Sequence, residues 1–376
     1  MIKELFNVKA SRGIKLPMLG AALALSLCFA SCESIYDNDD DCKTGVALRF
    51  VYDYHMEPGA NAFPANVDCV DVYVFDTEGN YLDRHYVETD DRLASESYRM
   101  EFPLEPGTYH LVVYGGTTCT NPAFDFTGPE ATNSRGAHKD NIRVVLPTQD
   151  NISRAKLHDI EARTGGLFYG TLDVTIKEDD RSLKYAEHTV NLIKDTNNIQ
   201  IILQELSGEK KVDHNDYEFR IEDENAVLDG YNNKSTLSRA DASVTYLPYG
   251  RENRIAGSVN PNSSYAEEDE EDLVQVACAE LSTSRLLTQN LATSRLIVTS
   301  TTEKDLNGNP KEIINIPLIQ YLLLVKGFGT SWIKTDQEFL DRQSNWNMLF
   351  FLQKGVWVRT SVSVNSWIVR VNNHEF

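Results

Sequence analysis

Val70, Val72 and Val74 alternate with Asp71, Tyr73 and Phe75, the two-residue period of a strand covered on at least one face. Asp76-Thr77-Glu78-Gly79-Asn80 then turns the chain into a second run, Tyr81 to Val87. Glu105-Pro106-Gly107 joins Tyr98–Leu104 to Tyr109–Tyr114; Pro presets the turn's φ and Gly accepts a positive one. Further strands are expected at Val46–Tyr52, Asn141–Leu146 and Leu167–Ile176. Short strands at this spacing predict one β-sandwich over residues 45–185. A second set begins near Thr189, with strands expected at Ile199–Leu203, Tyr217–Ile221, Val244–Leu247, Arg295–Thr301, Glu312–Ile316, Met348–Leu352, Val356–Val364 and Trp367–Val371. These place a second sandwich over 186–376. Asp305-Leu306-Asn307-Gly308-Asn309 reads as a turn. Two short helices interrupt the strands. One opens on Pro317 and carries the apolar run Leu318 to Val325. The other opens on the capping box Thr335-Asp336-Gln337-Glu338 and runs to about Arg342. The fold class is therefore all-β: two tandem sandwiches with one or two short helices in the second.

The pattern changes at the N-terminus. Lys3, Lys9, Arg12 and Lys15 precede an apolar segment, Leu16 to Ala30, which ends in Phe29-Ala30-Ser31-Cys32. A spanning helix needs about 20 apolar residues, and this run is shorter and carries Pro17. It reads as a cleaved signal over residues 1–31, with Cys32 the lipidated first residue of the mature chain. Glu33 and Asp37 to Asp41 make residues 32–44 an acidic tether. A calcium loop counted from Asp37 fails, because Cys42 and Leu48 stand where the turn glycine and last carboxylate belong.

The whole chain carries a net charge of −20. Residues 1–31 hold four basic residues and one acidic residue, which leaves 32 basic against 55 acidic residues in the mature chain. So acidic a chain is a poor partner for nucleic acid. Of the six cysteines, Cys28 leaves with the signal and Cys32 takes lipid. Cys42, Cys69, Cys119 and Cys278 remain, and an exported chain can keep disulfides. Cys69 and Cys278 lie in apolar segments and suit buried thiols. If one pair forms, Cys42 with Cys119 is the expected one, since both flank predicted strands in loops.

Catalytic and metal motifs do not appear. There is no Gly-x-Ser-x-Gly elbow, no His-Glu-x-x-His and no Gly-rich phosphate loop with Lys, and no Cys/His spacing suits a metal. Asp336, Glu338, Asp341 and Arg342 are expected to be cap and surface ion pairs. Trp332, Trp346, Trp357 and Trp367 all fall in the last 45 residues. An exposed array of them would favour sugar stacking, whereas burial is the commoner fate of Trp in such strands.

Several segments together resemble the fimbrial anchor and tip lipoproteins of the Bacteroidetes, the FimB-type or minor-fimbria anchor family. They are Gly45-Val46-Ala47-Leu48-Arg49-Phe50-Val51-Tyr52-Asp53-Tyr54, Val70 to Asp76, Pro106-Gly107-Thr108-Tyr109, Asp336 to Arg342, Met348 to Leu352 and Trp367-Ile368-Val369-Arg370. The likeness spans nearly the whole mature chain and is weakest over 225–290. It implies transthyretin-like sandwiches, no enzyme activity, no cofactor, other fimbrial subunits as partners, and a lipid-anchored place on the outer membrane. In such fibres one subunit's extended segment completes another's open sheet. Shaft subunits of this type are trimmed after Arg or Lys, which frees the groove of their first strand. Here Tyr52 to Tyr81 holds no Arg or Lys, so the first strand and its lipid are expected to stay, as in a base anchor. Trp367, Val369 and Val371, on one face of the last strand, are the candidate contact to the shaft; a fixed strand of the second sandwich is the alternative. A tip adhesin, or a glycan-binding lipoprotein of a polysaccharide-uptake system, remains the competing reading.

Overall fold

The computed structural model describes residues 43–53, 61–130, 136–159, 164–178, 184–206, 211–235, 242–256, 274–327, 332–364 and 367–371. The expected signal, Cys32 and Cys42 lie outside these residues. Among those described, no helix is long and apolar enough to cross a membrane.

The first body holds seven main strands: β1 (Gly45–Val51), β2 (Val70–Phe75), β3 (Tyr81–Val87), β4 (Met100–Pro103), β5 (Gly107–Gly115), β6 (Phe168–Ile176) and β7 (Ala186–Asn191). One sheet runs β7-β1-β4 and the other Ile193–Lys194, β6, β5, β2, β3. Val46, Leu48 and Phe50 of β1 face Val70, Val72 and Val74 of β2 across a core closed by Leu111 and Val113. Each such aliphatic side chain contributes roughly 1.5–3 kcal/mol on burial. All six residues of β2 are buried, because its other face is covered too. Tyr73 and Phe75, with Val112 and Tyr114 of β5, pack into the core of the second body.

The second body holds nine main strands: β8 (Thr196–Glu205), β9 (Tyr217–Asp223), β10 (Gly250–Ala256), β11 (Val274–Ser284), β12 (Arg295–Lys304), β13 (Pro310–Pro317), β14 (Asn345–Gln353), β15 (Val356–Val364) and β16 (Trp367–Val371). The order β10-β11-β8-β14-β15-β16 makes one sheet, and β13-β12-β9 continues through Val244–Tyr246 and Ile152–Ser153 in the other. Ile199, Ile201 and Leu203 alternate inward along β8, as do Trp346, Met348 and Phe350 along β14. The fold is thus all-β with two tandem sandwiches, as expected.

The pairing does not stop at residue 185. Val46 to Val51 lie beside Ala186 to Asn191 in parallel register, and Ile193–Lys194 pairs with β6. The first sandwich therefore runs through Lys194, because β1 needs a partner on each side. In the other direction, Arg143–Val145 pairs with Val227–Asp229, and Ile152–Ser153 with Val244–Tyr246. Part of the first stretch is thus built into the second body, and the outer face of β2 and β5 joins that body's core, while the inner face of the first sandwich forms a core of its own.

The turns follow their sequence cues. Asp76 Oδ1 accepts from the amides of Glu78 and Asn80, each at 2.9 Å, and Gly79 takes a φ of 90°. Asp305 Oδ1 does the same for Asn307 and Asn309 at 2.8 Å. Among the described residues the α-helices are α1 (Phe63–Asn66), α2 (Leu318–Leu323) and α3 (Asp336–Arg342). α2 opens after Pro317, and at α3 the Thr335 hydroxyl accepts from the Glu338 amide at 3.0 Å. Glu338 in turn accepts from the Lys334 amide at 2.9 Å, one residue before the position a capping box requires.

Candidate functional site

A strand-joined fibre needs two things of a terminal subunit: a first strand that stays seated and a sheet edge free for a partner. β1 is seated. It lies between β7 and β4, six residues in register with one and four with the other. Its entry needs Gly45, whose φ is 147° and whose missing Cβ would collide with the carbonyl oxygen of Phe102. Its exit is pinned as well. Asn61 Oδ1 accepts from the Tyr52 amide at 2.9 Å, and the Ala62 amide donates to the Tyr52 carbonyl at 2.8 Å. Phe63 of α1 then stacks on Phe50 with ring centroids 5.6 Å apart.

A disulfide closes the same region. Cys119 bonds Cys69, with Cα atoms 5.2 Å apart, not Cys42 as expected. The reason is strand pairing: Val70 sits opposite Gly115 in the β2–β5 register, so the residue before β2 meets the loop after β5. Cys69 is buried, but bonded rather than a free thiol. Asp68 lies beside the two sulfurs, which the disulfide leaves unable to act as thiolate ligands. Cys278 is a free buried thiol, pushed up to about 11 by burial.

The edges of the six-stranded sheet differ. β10 carries Arg251, Glu252 and Arg254, all exposed, and charged edges resist pairing. At the other end β16 pairs with β15 from Val364–Trp367 to Thr360–Val371. Among the described residues no strand lies beyond β16. β15 continues past that pairing, with Val356 and Val358 exposed at 53% and 39%. The side chains of Trp367, Val369 and Val371 lie outside the described ones, so their shared face is not described.

Among the described side chains, the three tryptophans do not form an array. Trp346 is buried against Phe339 and donates to Asn197 Oδ1 at 3.3 Å. Trp357 is half-buried between Tyr321 and Phe350. Trp332 is exposed, its ring under the Arg342 guanidinium at 4.8 Å. A shallow cleft of about 190 Å³ opens over β8 and β14; its lining includes Asn198, Gln200, Tyr249, Glu280, Asn347 and Trp346, itself only 1% exposed.

The seam between the bodies carries charge. Arg285 donates to both oxygens of Asp341, at 2.8 and 2.7 Å, and its Nε lies 3.5 Å from Asp195. Asp195 also accepts from Asn232 at 3.0 Å. It stands in the short link between Lys194 and β8, and burial raises its pKa to about 7 against the opposing pull of Arg285. Asp341 is therefore a buried seam residue, whereas Glu338–Arg342 and Asp336–Lys326 are the outer pairs expected of α3. No sequence cue marked Arg285 or Asp195, since single charges in apolar surroundings show their partners only in three dimensions.

Residues 38–373 match the family described as Fimbrillin-A associated anchor proteins Mfa1 and Mfa2. The chain belongs to this family. Solved structures that resemble it include three of note. A candidate adhesin of Bacteroides thetaiotaomicron is 38% identical, with a TM-score of 0.70 over 88% of this chain and 99% of its own. A candidate polysaccharide-binding protein of the same organism is 27% identical, with a TM-score of 0.66 over 88% and 99%. The fimbrial anchor protein Mfa2 from Porphyromonas gingivalis is 17% identical, with a TM-score of 0.58 over 87% and 98%, and shares the fold. A search of curated proteins finds no match. Membership of the Mfa2 anchor family carries a surface, fimbrial location, a structural or adhesive role and other fimbrial subunits as partners. It also fits the transthyretin-like sandwiches that the resemblance implied.

Proposed function

We propose that this chain is a lipid-anchored outer-membrane protein that joins a fimbrial shaft to the cell by β-strand complementation, and that it is not an enzyme. Lipid on Cys32 holds the mature chain to the membrane through the acidic tether of 32–44. Several acyl chains hold durably where one does not. The observation that carries the reading is the seating of β1, paired on both sides and pinned at its exit. Removing a central strand would expose Val46, Leu48 and Phe50 and two rows of backbone groups, so the link from lipid to body is favoured to persist. The shaft is met at the β15–β16 edge, where main-chain groups supply the hydrogen bonds and alternate side chains the fit.

The test is the N-terminus of the chain in purified fimbriae. An acylated Cys32 peptide supports the reading, and a new N-terminus within Tyr52–Tyr81 opposes it. A second reading, glycan binding, draws on the amide-lined cleft and on the 27%-identical neighbour. The buried Trp346 and half-buried Trp357 weigh against it. Surface polysaccharide whose binding is lost on Asn347→Ala, with fimbriae unchanged, would favour this second reading.

A further inference from the structure

Lys234, Asn290, Glu224 and Asp223 meet in one buried cluster of the second body. Lys234 Nζ is hydrogen-bonded to Glu224 Oε2 and lies 3.1 Å from Asn290 Oδ1. The amide nitrogen of Asn290 donates to Asp223 Oδ1 at 2.7 Å, which also accepts from the Glu224 amide at 2.7 Å. Asn290 is wholly buried, and Asp223 and Glu224 are 4% and 8% exposed. The Lys234 side chain is 23% exposed. The backbone on both sides is fixed. Lys234 bridges to Leu228, while the Asn290 amide donates to Leu287 and its carbonyl accepts from Thr293 and Ser294. A primary amine, a carboxamide and two carboxyls are thus held together, the last three of them buried.

We propose that Lys234 Nζ and Asn290 Cγ join as an intramolecular amide, with Glu224 and Asp223 moving the protons. The Glu224 carboxylate takes a proton from the Lys234 ammonium and leaves a neutral amine, the form that is nucleophilic. The amine attacks Asn290 Cγ, and the Nζ–Cγ bond forms as the carbonyl π pair moves to Oδ1. A second proton passes from Nζ through the carboxyls to Nδ2. The oxyanion pair returns, the Cγ–Nδ2 bond breaks, and ammonia leaves. The proton held by Glu224 goes with it, so one ammonium enters the reaction and one departs. No oxidant or other reactant is needed. Burial raises the Asp223 pKa to about 6, which helps it hold the proton that the leaving nitrogen needs. Positioning of this kind replaces a second-order encounter by a first-order step. The product would brace two segments 56 residues apart in a body that, on the anchor reading, bears the load of a fibre; the chemistry itself does not depend on that reading.

Intact-mass measurement and peptide mapping of the full mature protein decide it. The expected result is a mass lower by one ammonia, and a branched peptide that joins the fragments holding Lys234 and Asn290. Lys234→Arg and Glu224→Gln should each restore the full mass and remove the branched peptide. An unaltered wild-type mass overturns the proposal. So does ammonia loss confined to a linear peptide, as a succinimide would give. The wild-type result stands even if a variant fails to fold.

Discussion

Single residues set the conditions for the first body and the seam. The Cys69–Cys119 bond closes a loop of 50 residues, and a native disulfide of this kind is worth about 2–4 kcal/mol. Cys119→Ser should lower unfolding stability by about that much, read as a shift in the denaturant midpoint. The pairing was legible only in hindsight. Once β2 and β5 are neighbours in register, Cys69 and the loop after Gly115 share an end, whereas flanking-loop position alone pointed to Cys42. Asp195 gives a pH dependence with a definite sign. Its folded pKa is raised to about 7, while an unfolded Asp titrates near 4. Between these values the folded chain holds a proton that the unfolded chain has lost. The stability linked to Asp195 is thus fully present below about pH 4 and is lost as pH rises through about 7. Melting temperatures from pH 4 to 8 should fall with rising pH relative to Asp195→Asn. Parallel curves would contradict this, and the difference between the two proteins cancels the other titrating groups.

At the scale of elements, the period-two pattern located most strands, because one-face burial leaves a direct mark on sequence. The α3 cap and both Asp-x-Asn-Gly-Asn-like turns were equally visible, since their chemistry is local. Three things were not. Residues 186–194 return to the first sandwich to flank β1 in parallel and β6 antiparallel, and the parallel pairing across such a distance leaves no local trace. The segments 125–127, 143–145 and 152–153 are built against the second body for the same reason. Asp341 looked like a surface acid on a short amphipathic helix, yet is buried against Arg285. The two ends of the six-stranded sheet give an element-level prediction. Removal of residues 367–376 should abolish co-purification with the shaft subunit while leaving the amount at the cell surface unchanged. Reversing the charges of Arg251 and Arg254 on β10 should leave co-purification intact. The opposite pattern would move the contact to β10.

In the whole molecule, Tyr73, Phe75, Val112 and Tyr114 of the first sandwich pack into the core of the second, so on the anchor reading a pull at the membrane end crosses a packed seam. On the anchor reading, a lipid on Cys32, the seated β1 and the β15–β16 edge form one path from membrane to fibre. Membership of the Mfa2 family fixes a fimbrial role; the anchor reading adds that this chain holds the fibre to the cell. The most direct measurement is the fraction of fimbriae that sediment with cells in three strains: wild type, a deletion of this chain, and Cys32→Ala. The account predicts cell-bound fimbriae in the first, and fimbriae shed into the medium in the other two. Fimbriae of normal length that stay cell-bound in the deletion strain would contradict it.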